Sequence, residues 1–280
     1  MRRVIFNQKG GVGKSSITCN LAAIAATRGL RTLVVDLDVQ GNSSLYLGVD
    51  THAPENRDTE YSVAHLLKRS AGGWFAGSKA AIGFVQETQF ANLDLLAAHP
   101  MLTEIMGELE SRYKIYKLRE ALDELTTEYD RVYIDTPPNL NFYSKTALIA
   151  AQRVLIPYDC DSFSKQALYQ LLDNTIELKQ DHNPALEIEG VVINQFNAQA
   201  RLPRELIEEL REEQLPVLDS FLSSSVKMKE SHHQAKPLIY LAPSHKLTQQ
   251  FISLFDQLES TAEKRSGETT AQHTEHEAQV

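Results

Sequence analysis

The segment RVIFNQKGGVGKSSITCNLAAIAATRG, residues 3–29, constrains the fold more than any other part of the 280-residue chain. Arg3–Phe6 reads as a short apolar strand, a glycine-rich turn follows, and Lys14–Arg28 has helical spacing closed by Gly29 as a C-terminal cap. A loop between strand and helix turns backbone N–H groups inward, and the positive end of the helix dipole adds to them, so the unit holds an anion. Gly10, Gly11 and Gly13 permit the backbone angles and the close approach that a side chain would block. Val12 and Ser16 belong to the same loop. Lys14 is placed to reach the β- and γ-phosphates of a nucleotide, and the Ser15 hydroxyl suits Mg²⁺. The pattern G-x-x-x-x-G-K-[ST] is met at its end by Gly13, Lys14 and Ser15, but Gln8 stands where the first glycine belongs and Lys9 adds a second lysine. A chance glycine turn beside a lysine is the competing explanation. The strand before it and the helix after it argue against chance.

The same alternation continues. Strands are predicted at Thr32–Asp36, Leu93–Ala97, Arg131–Asp135, Val154–Pro157, Glu189–Asn194 and near Val217. Helices are predicted at about Ser62–Arg69, Met101–Thr127, Ser144–Ala151, Phe163–Gln180, Pro203–Gln214 and Lys246–Glu259. Several strands are apolar on both faces, as in a parallel sheet covered by helices on each side. The expected fold is therefore α/β: one doubly wound, mostly parallel sheet flanked by helices, over residues 1–260. From Thr261 the sequence turns polar and loses its periodicity, which predicts a disordered tail, residues 261–280. Ala71–Gly83, carrying Trp74 and Phe75, reads as a loop insertion. It is either a partner surface or an ordinary loop anchored by two aromatics.

In a parallel α/β sheet, ligands gather at the carboxyl ends of strands. Three such ends carry the right chemistry: the phosphate loop, Asp36 and Asp38 in LVVDLDVQGNSS, and Asp135 in RVYIDTPP. Asp135 is placed to hold Mg²⁺ through water, with Asp36 as a further outer-shell candidate. An ordinary strand-end aspartate is the alternative. Pro137-Pro138 counts against it, because a stiff turn there sets the loop near the γ-phosphate.

Taken together, KGGVGKSS, DLDVQGN, and VYIDTPPNL followed by a helix and RVLIPYD resemble the ParA/MinD family, P-loop ATPases with a deviant Walker A motif. The resemblance runs from residue 1 to about residue 259, and Gln40-Gly41-Asn42 leans towards the ParA branch. It implies a slow, partner-stimulated ATPase that uses ATP and Mg²⁺ and forms a nucleotide-sandwich homodimer. The catalytic residues it implies are Lys9, reaching the phosphates bound by the partner subunit, Lys14, and Asp38, positioning the attacking water. Asn194 resembles the family's adenine-reading asparagine; an asparagine that starts a turn is the alternative. A cation arriving from a second chain would neutralise charge on the γ-oxygens, as arginine fingers do.

The surface on which such a switch works is the next question. Near the C-terminus, SSSVKMKESHHQAKPL carries Lys227, Lys229 and Lys236, and its core resembles a family segment that contacts DNA phosphates. Arg201 and Arg204 are candidates to join it. Gln199 stands where another family arginine would align, which weakens the match, and solvated charge on a helix is the plainer reading. The formal charge of −9 excludes a chain coated in positive charge, so non-specific DNA binding has to come from a local patch. The expected location is cytoplasmic, on the nucleoid when ATP-bound, with a ParB-like or other cargo adaptor.

A membrane-associated, MinD-like positioning ATPase is the alternative. LTQQFISLFDQLES does align Leu247, Phe251, Leu254, Phe255 and Leu258, but its polar face is not basic, so packing on the sheet is expected. No run approaches the ~18 apolar residues of a spanning helix. A metabolic enzyme or iron–sulfur reductase of the same superfamily is the remaining class. Its cluster would need paired cysteines, and Cys19 and Cys160 are the only two. His232 and His233 are adjacent rather than a helical turn apart, and no metal is assigned to them.

Overall fold

The computed structural model describes residues 1–56, 58–69, 79–159, 164–196 and 201–277; for residues 164, 201–203 and 262–277 it describes the backbone alone. Trp74, Phe75, Cys160 and Gln199 lie outside the described residues. The strands are β1 (Arg2–Ile5), β2 (Thr32–Asp36), β3 (Gln86–Glu87), β4 (Leu93–Leu96), β5 (Arg131–Asp135), β6 (Arg153–Asp159), β7 (Glu187–Phe196) and β8 (Val217–Ser223). They form one sheet in the order β3-β4-β2-β5-β1-β6-β7-β8. Every pairing is parallel except β3 with β4, a two-residue antiparallel edge that the sequence did not announce.

The helices are α1 (Lys14–Thr27), α2 (Asn42–Tyr46), α3 (Val63–Lys68), α4 (Met101–Ser111), α5 (Lys117–Glu124), α6 (Phe142–Ala150), α7 (Ser164–His182), α8 (Arg201–Glu212), α9 (Val226–His233), α10 (Leu238–Leu241) and α11 (Lys246–Glu277). They bury two cores. Val4, Leu33, Val35 and Ile134 face one, with α3 to α8; Ile5, Val34 and Tyr133 face the other, with α1, α10 and α11. Adjacent strand residues thus serve opposite faces, which is why these strands are apolar throughout.

Local chemistry sets the element ends. Gly29, at φ +84°, closes α1, and the Leu30 N–H donates to the Ala25 carbonyl across it. The Ser62 side chain caps α3 by accepting from the His65 N–H. The helix predicted across Met101–Thr127 is two helices. Tyr113, at φ 53°, ends α4, with the Lys114 N–H donating to the Leu109 carbonyl. Both pieces bury apolar residues in the same core, Leu102, Ile105 and Leu109 before the break and Leu118 and Leu122 after it. The periodicity therefore ran on through the turn.

At the C-terminus, α11 continues past Thr261 to Glu277, so the backbone there is helical where an irregular tail was expected. Residues such as Ala, Glu, Lys, Arg and Gln favour helix without burying a face, and loss of apolar periodicity does not mark a helix end. The face carrying Leu247, Phe251, Leu254, Phe255 and Leu258 is buried in the second core, as expected for packing on the sheet. No helix among the described residues is long and apolar enough to cross a membrane.

Candidate functional site: a phosphate loop at the strand ends

The carboxyl ends of β1, β2 and β5 lie side by side, with Ile5 paired to Asp135 and Asp135 to Asp36. The loop leaving β1 wraps the start of α1. Gly13 adopts φ 90°, a left-handed conformation that favours glycine, and a Cβ there would fall 2.2 Å from the Asn194 Nδ2 atom. Two side chains at the end of β7 hold the loop from the other side. Asn194 Nδ2 donates to the Val12 carbonyl at 2.9 Å, and Gln195 Nε2 donates to the Gly11 carbonyl at 2.9 Å. The first turn of α1 points N–H groups without intrahelical partners towards the loop, as an anion requires.

A cavity of about 440 Å³ opens over the loop. Gly10, Gly11, Gly13, Lys14, Ser15 and Ser16 line one side, and Asp38, Gln40 and Pro138 line another. Lys14 is buried, and its Nζ donates to the Lys9 carbonyl at 3.0 Å. Burial lowers its pKa, with Asp135 and Asp38 opposing that shift. Lys9, next to Gly10, is not among the residues that line the cavity. Its Nζ meets both carboxylate oxygens of Asp159, at 3.0 and 3.1 Å, and its side chain is 41% exposed.

The carboxylates divide the work. Asp135 is fully buried and accepts from Ser43 Oγ at 2.7 Å, from the Ser15 hydroxyl and from the Thr136 N–H. Asp36 is also fully buried; its Oδ2 accepts from the Ser44 N–H and hydroxyl, both at 2.8 Å, and its Oδ1 from the Asp38 N–H. Neither Asp36 nor Asp135 is among the residues lining the cavity; both lie buried behind its wall, and the bonds of Asp36 also anchor the loop that presents Asp38. Burial pushes both carboxyls up; the adjacent Asp135 adds to this at Asp36, while the Ser15 and Ser43 hydroxyls oppose it at Asp135. A cluster of crowded carboxyls beside a hydroxyl is suited to a divalent cation. No group of three His, Cys, Asp or Glu side chains among the described residues forms a closed metal cage. Mg²⁺ keeps waters and is held by one or two protein oxygens plus phosphate. Ser15 and Asp135 are the residues that would hold it.

Beyond Gly13 and Ser16 lies a second cavity of about 250 Å³, lined by Asn194, Gln195, Ser225, Met228, Lys229 and His232 among others. Asn194 therefore lies against both the loop and this space. Ser43, Ser44, Gln195, Asp159 and His232 join the site without a sequence motif that assigns them to it. The hydroxyl pair follows directly on DLDVQGN and was open to that reading, but Gln195 works through a left-handed backbone, φ 55°, that its residue type does not signal.

The candidate DNA residues are spread out. Lys227, Lys229 and Lys236 lie on and just after α9; Lys227 pairs with Glu230, and Lys229 and Lys236 are exposed. Arg204 is exposed on α8, which packs on the opposite face of the edge strand β8 from α9 and α11. Arg201 starts α8, and its side chain lies outside the described residues. Cys19 is buried, with its Sγ donating to the Ser43 carbonyl at 3.7 Å, which is a packing role rather than a ligand's.

Comparison with known proteins gives four findings. The family described as "AAA domain" matches residues 3–188. The sporulation initiation inhibitor protein Soj of Bacillus subtilis is 33% identical over 253 residues, covering 89% of this chain and 94% of its own length. The chromosome partitioning protein ParA of Myxococcus xanthus is 32% identical over 252 residues, covering 89% of this chain and 84% of its own length. Among solved structures, cobyrinic acid a,c-diamide synthase from Mycobacterium smegmatis with bound ADP and magnesium superimposes with a TM-score of 0.71. It is 27% identical, with 84% of this chain and 91% of that chain covered.

Proposed function

The chain belongs to the ParA/MinD family of P-loop ATPases, and from that premise we propose that it is a dimerising switch that grips DNA when ATP-bound and positions a cargo. It is a nucleotide hydrolase of a family of positioning ATPases, and ATP and Mg²⁺ are its substrate and metal. In the proposed cycle Lys14 and the loop N–H groups bind the phosphates, Asp38 orients the attacking water, and Lys9 completes the site of a second copy. Mg²⁺ held by Ser15 and Asp135 supplies charge neutralisation on the phosphate oxygens.

The observation that carries this reading is the division between the two lysines. Lys14 is buried inside the loop, whereas the Lys9 side chain is partly exposed, with its amine held by Asp159. With Lys14 serving the loop's own nucleotide, a second, partly exposed lysine in the same loop is in a position to serve a neighbour's. Pairing and turnover then become one event, and hydrolysis is slow until an adaptor stimulates it.

DNA is the surface we favour. Lys227, Lys229 and Lys236 on the α9 side, of which Lys229 and Lys236 are exposed, are the cations we assign to phosphate contacts, and in a dimer two weak sets act together. The apolar face of α11 is used up in the core, which argues against the membrane reading. A metabolic role, as the Mycobacterium smegmatis name suggests for that protein, is disfavoured by the greater identity to Soj along nearly its whole length. Interferometry on immobilised duplexes of unrelated sequence tests the proposal. Binding with ATP, loss with ADP, and a steep fall between about 50 and 200 mM salt are expected. Equal binding in both nucleotide states would rule the switch out.

A further inference from the structure

The two cavities over the phosphate loop share four lining residues: Gly11, Gly13, Ser16 and His232. Three belong to the loop and the start of α1. The fourth arrives from α9, more than two hundred residues away in sequence, and is the only shared wall residue outside the loop among the described residues. Its Nε2 lies 2.9 Å from the Ser16 Oγ atom. The ring is set by an edge contact with the Tyr46 ring, centroids 4.5 Å apart at 82°. Tyr46 is itself fixed, because its hydroxyl lies 2.5 Å from Ser231 Oγ and accepts from Asn20 Nδ2 at 3.0 Å. His232 nevertheless keeps an exposed surface facing the site. A solvent-facing imidazole with a fixed orientation, at the junction of two ligand-sized spaces, is arranged to touch what passes between them.

What passes between them follows from the loop. Lys14 and Ser15 take the terminal phosphates and the cation, in the larger cavity. The chain of the nucleotide then crosses Gly13 and Ser16 towards the space beside Asn194. The group at that crossing is the α-phosphate with its ribose. We propose that His232 is a nucleotide contact of this chain: its Nε2–H donates to an α-phosphate oxygen, beside the Ser16 hydroxyl with which it now pairs. The proposal deepens the nucleotide-switch reading and rests on it. A hydrogen bond to a charged phosphate oxygen is among the stronger kinds, and its loss is worth about tenfold in affinity.

Calorimetric titrations of ADP and of inorganic phosphate, each with Mg²⁺, test the assignment on the full chain, on His232→Ala and on His232→Gln. Inorganic phosphate offers the loop a single phosphate and leaves the α-phosphate position unfilled. The expected result is an ADP affinity about tenfold weaker in His232→Ala, inorganic phosphate binding changed less than about twofold, and most of the ADP loss restored by the amide donor of His232→Gln. Thermal midpoints of the variants report whether they fold. ADP affinity unchanged in a folded His232→Ala would overturn the proposal. So would inorganic phosphate weakening in step with ADP, which would make His232 a support of the loop rather than a contact. Failure of the unaltered protein to bind ADP would strike the nucleotide reading itself.

Discussion

At Asp38 the carboxylate is buried but still lines the cavity, its Oδ1 accepts from the Gln40 N–H, and its own N–H donates to Asp36. Those bonds hold it in place at the cavity wall, as a water-orienting group requires. Asp38→Ala is therefore expected to bind ATP with nearly unchanged affinity and to hydrolyse it at least about a hundredfold more slowly, in the range of lost general-base action. Single-turnover phosphate release measures this; normal turnover would move the role to another residue. Far from that site, Glu259 accepts from Arg131 Nε at 3.0 Å and pairs with the fully buried Arg3 at 3.3 Å. Burial raises the Glu259 pKa, but Arg131 and Arg3 outweigh it and hold it below an ordinary glutamate's. A depressed folded pKa contributes stability that is present above the unfolded value of about 4.5 and is lost as pH falls through the folded value. Glu259→Gln should lower stability by about 1–3 kcal/mol at pH 7, and the gap should close towards pH 3, as read by urea denaturation. A gap independent of pH would remove the electrostatic explanation.

At the scale of elements, α11 stands or falls with one face. Leu254 and Leu258 have no exposure and Phe251 has 1%. Leu254→Ala is expected to cost about 2–5 kcal/mol in a denaturant titration while leaving ADP affinity unaltered, because the residue packs on the sheet away from the strand ends. Elements of this kind were legible in the sequence: β2 and β5 match their expected limits, and α1 ends at its predicted glycine, since each combines a clear apolar pattern with clear punctuation. The illegible pieces are short. β3, α2 and α10 have too few residues to show a period, and they exist because longer neighbours pack on them. The break at Tyr113 was hidden for a different reason: an apolar stripe reports which residues are buried, not whether the backbone between them stays helical.

For the whole molecule, the sequence exposed the phosphate loop and the three converging strand ends because their chemistry lies in contiguous runs. Asp159, His232 and the Asn194–Gln195 clamp come from β6, α9 and β7, and only the crossing order of the sheet brings them to the loop. A second copy leaves still less trace in one chain, and Lys9 is the residue through which it is inferred. The decisive measurement is sedimentation of the protein and of Lys9→Ala with ADP and with ATP at matched nucleotide occupancy. The account predicts an ATP-dependent dimer for the unaltered chain, and a Lys9→Ala variant that still binds ATP but remains a monomer and does not turn it over. A Lys9→Ala protein that pairs and hydrolyses ATP like its parent would contradict it.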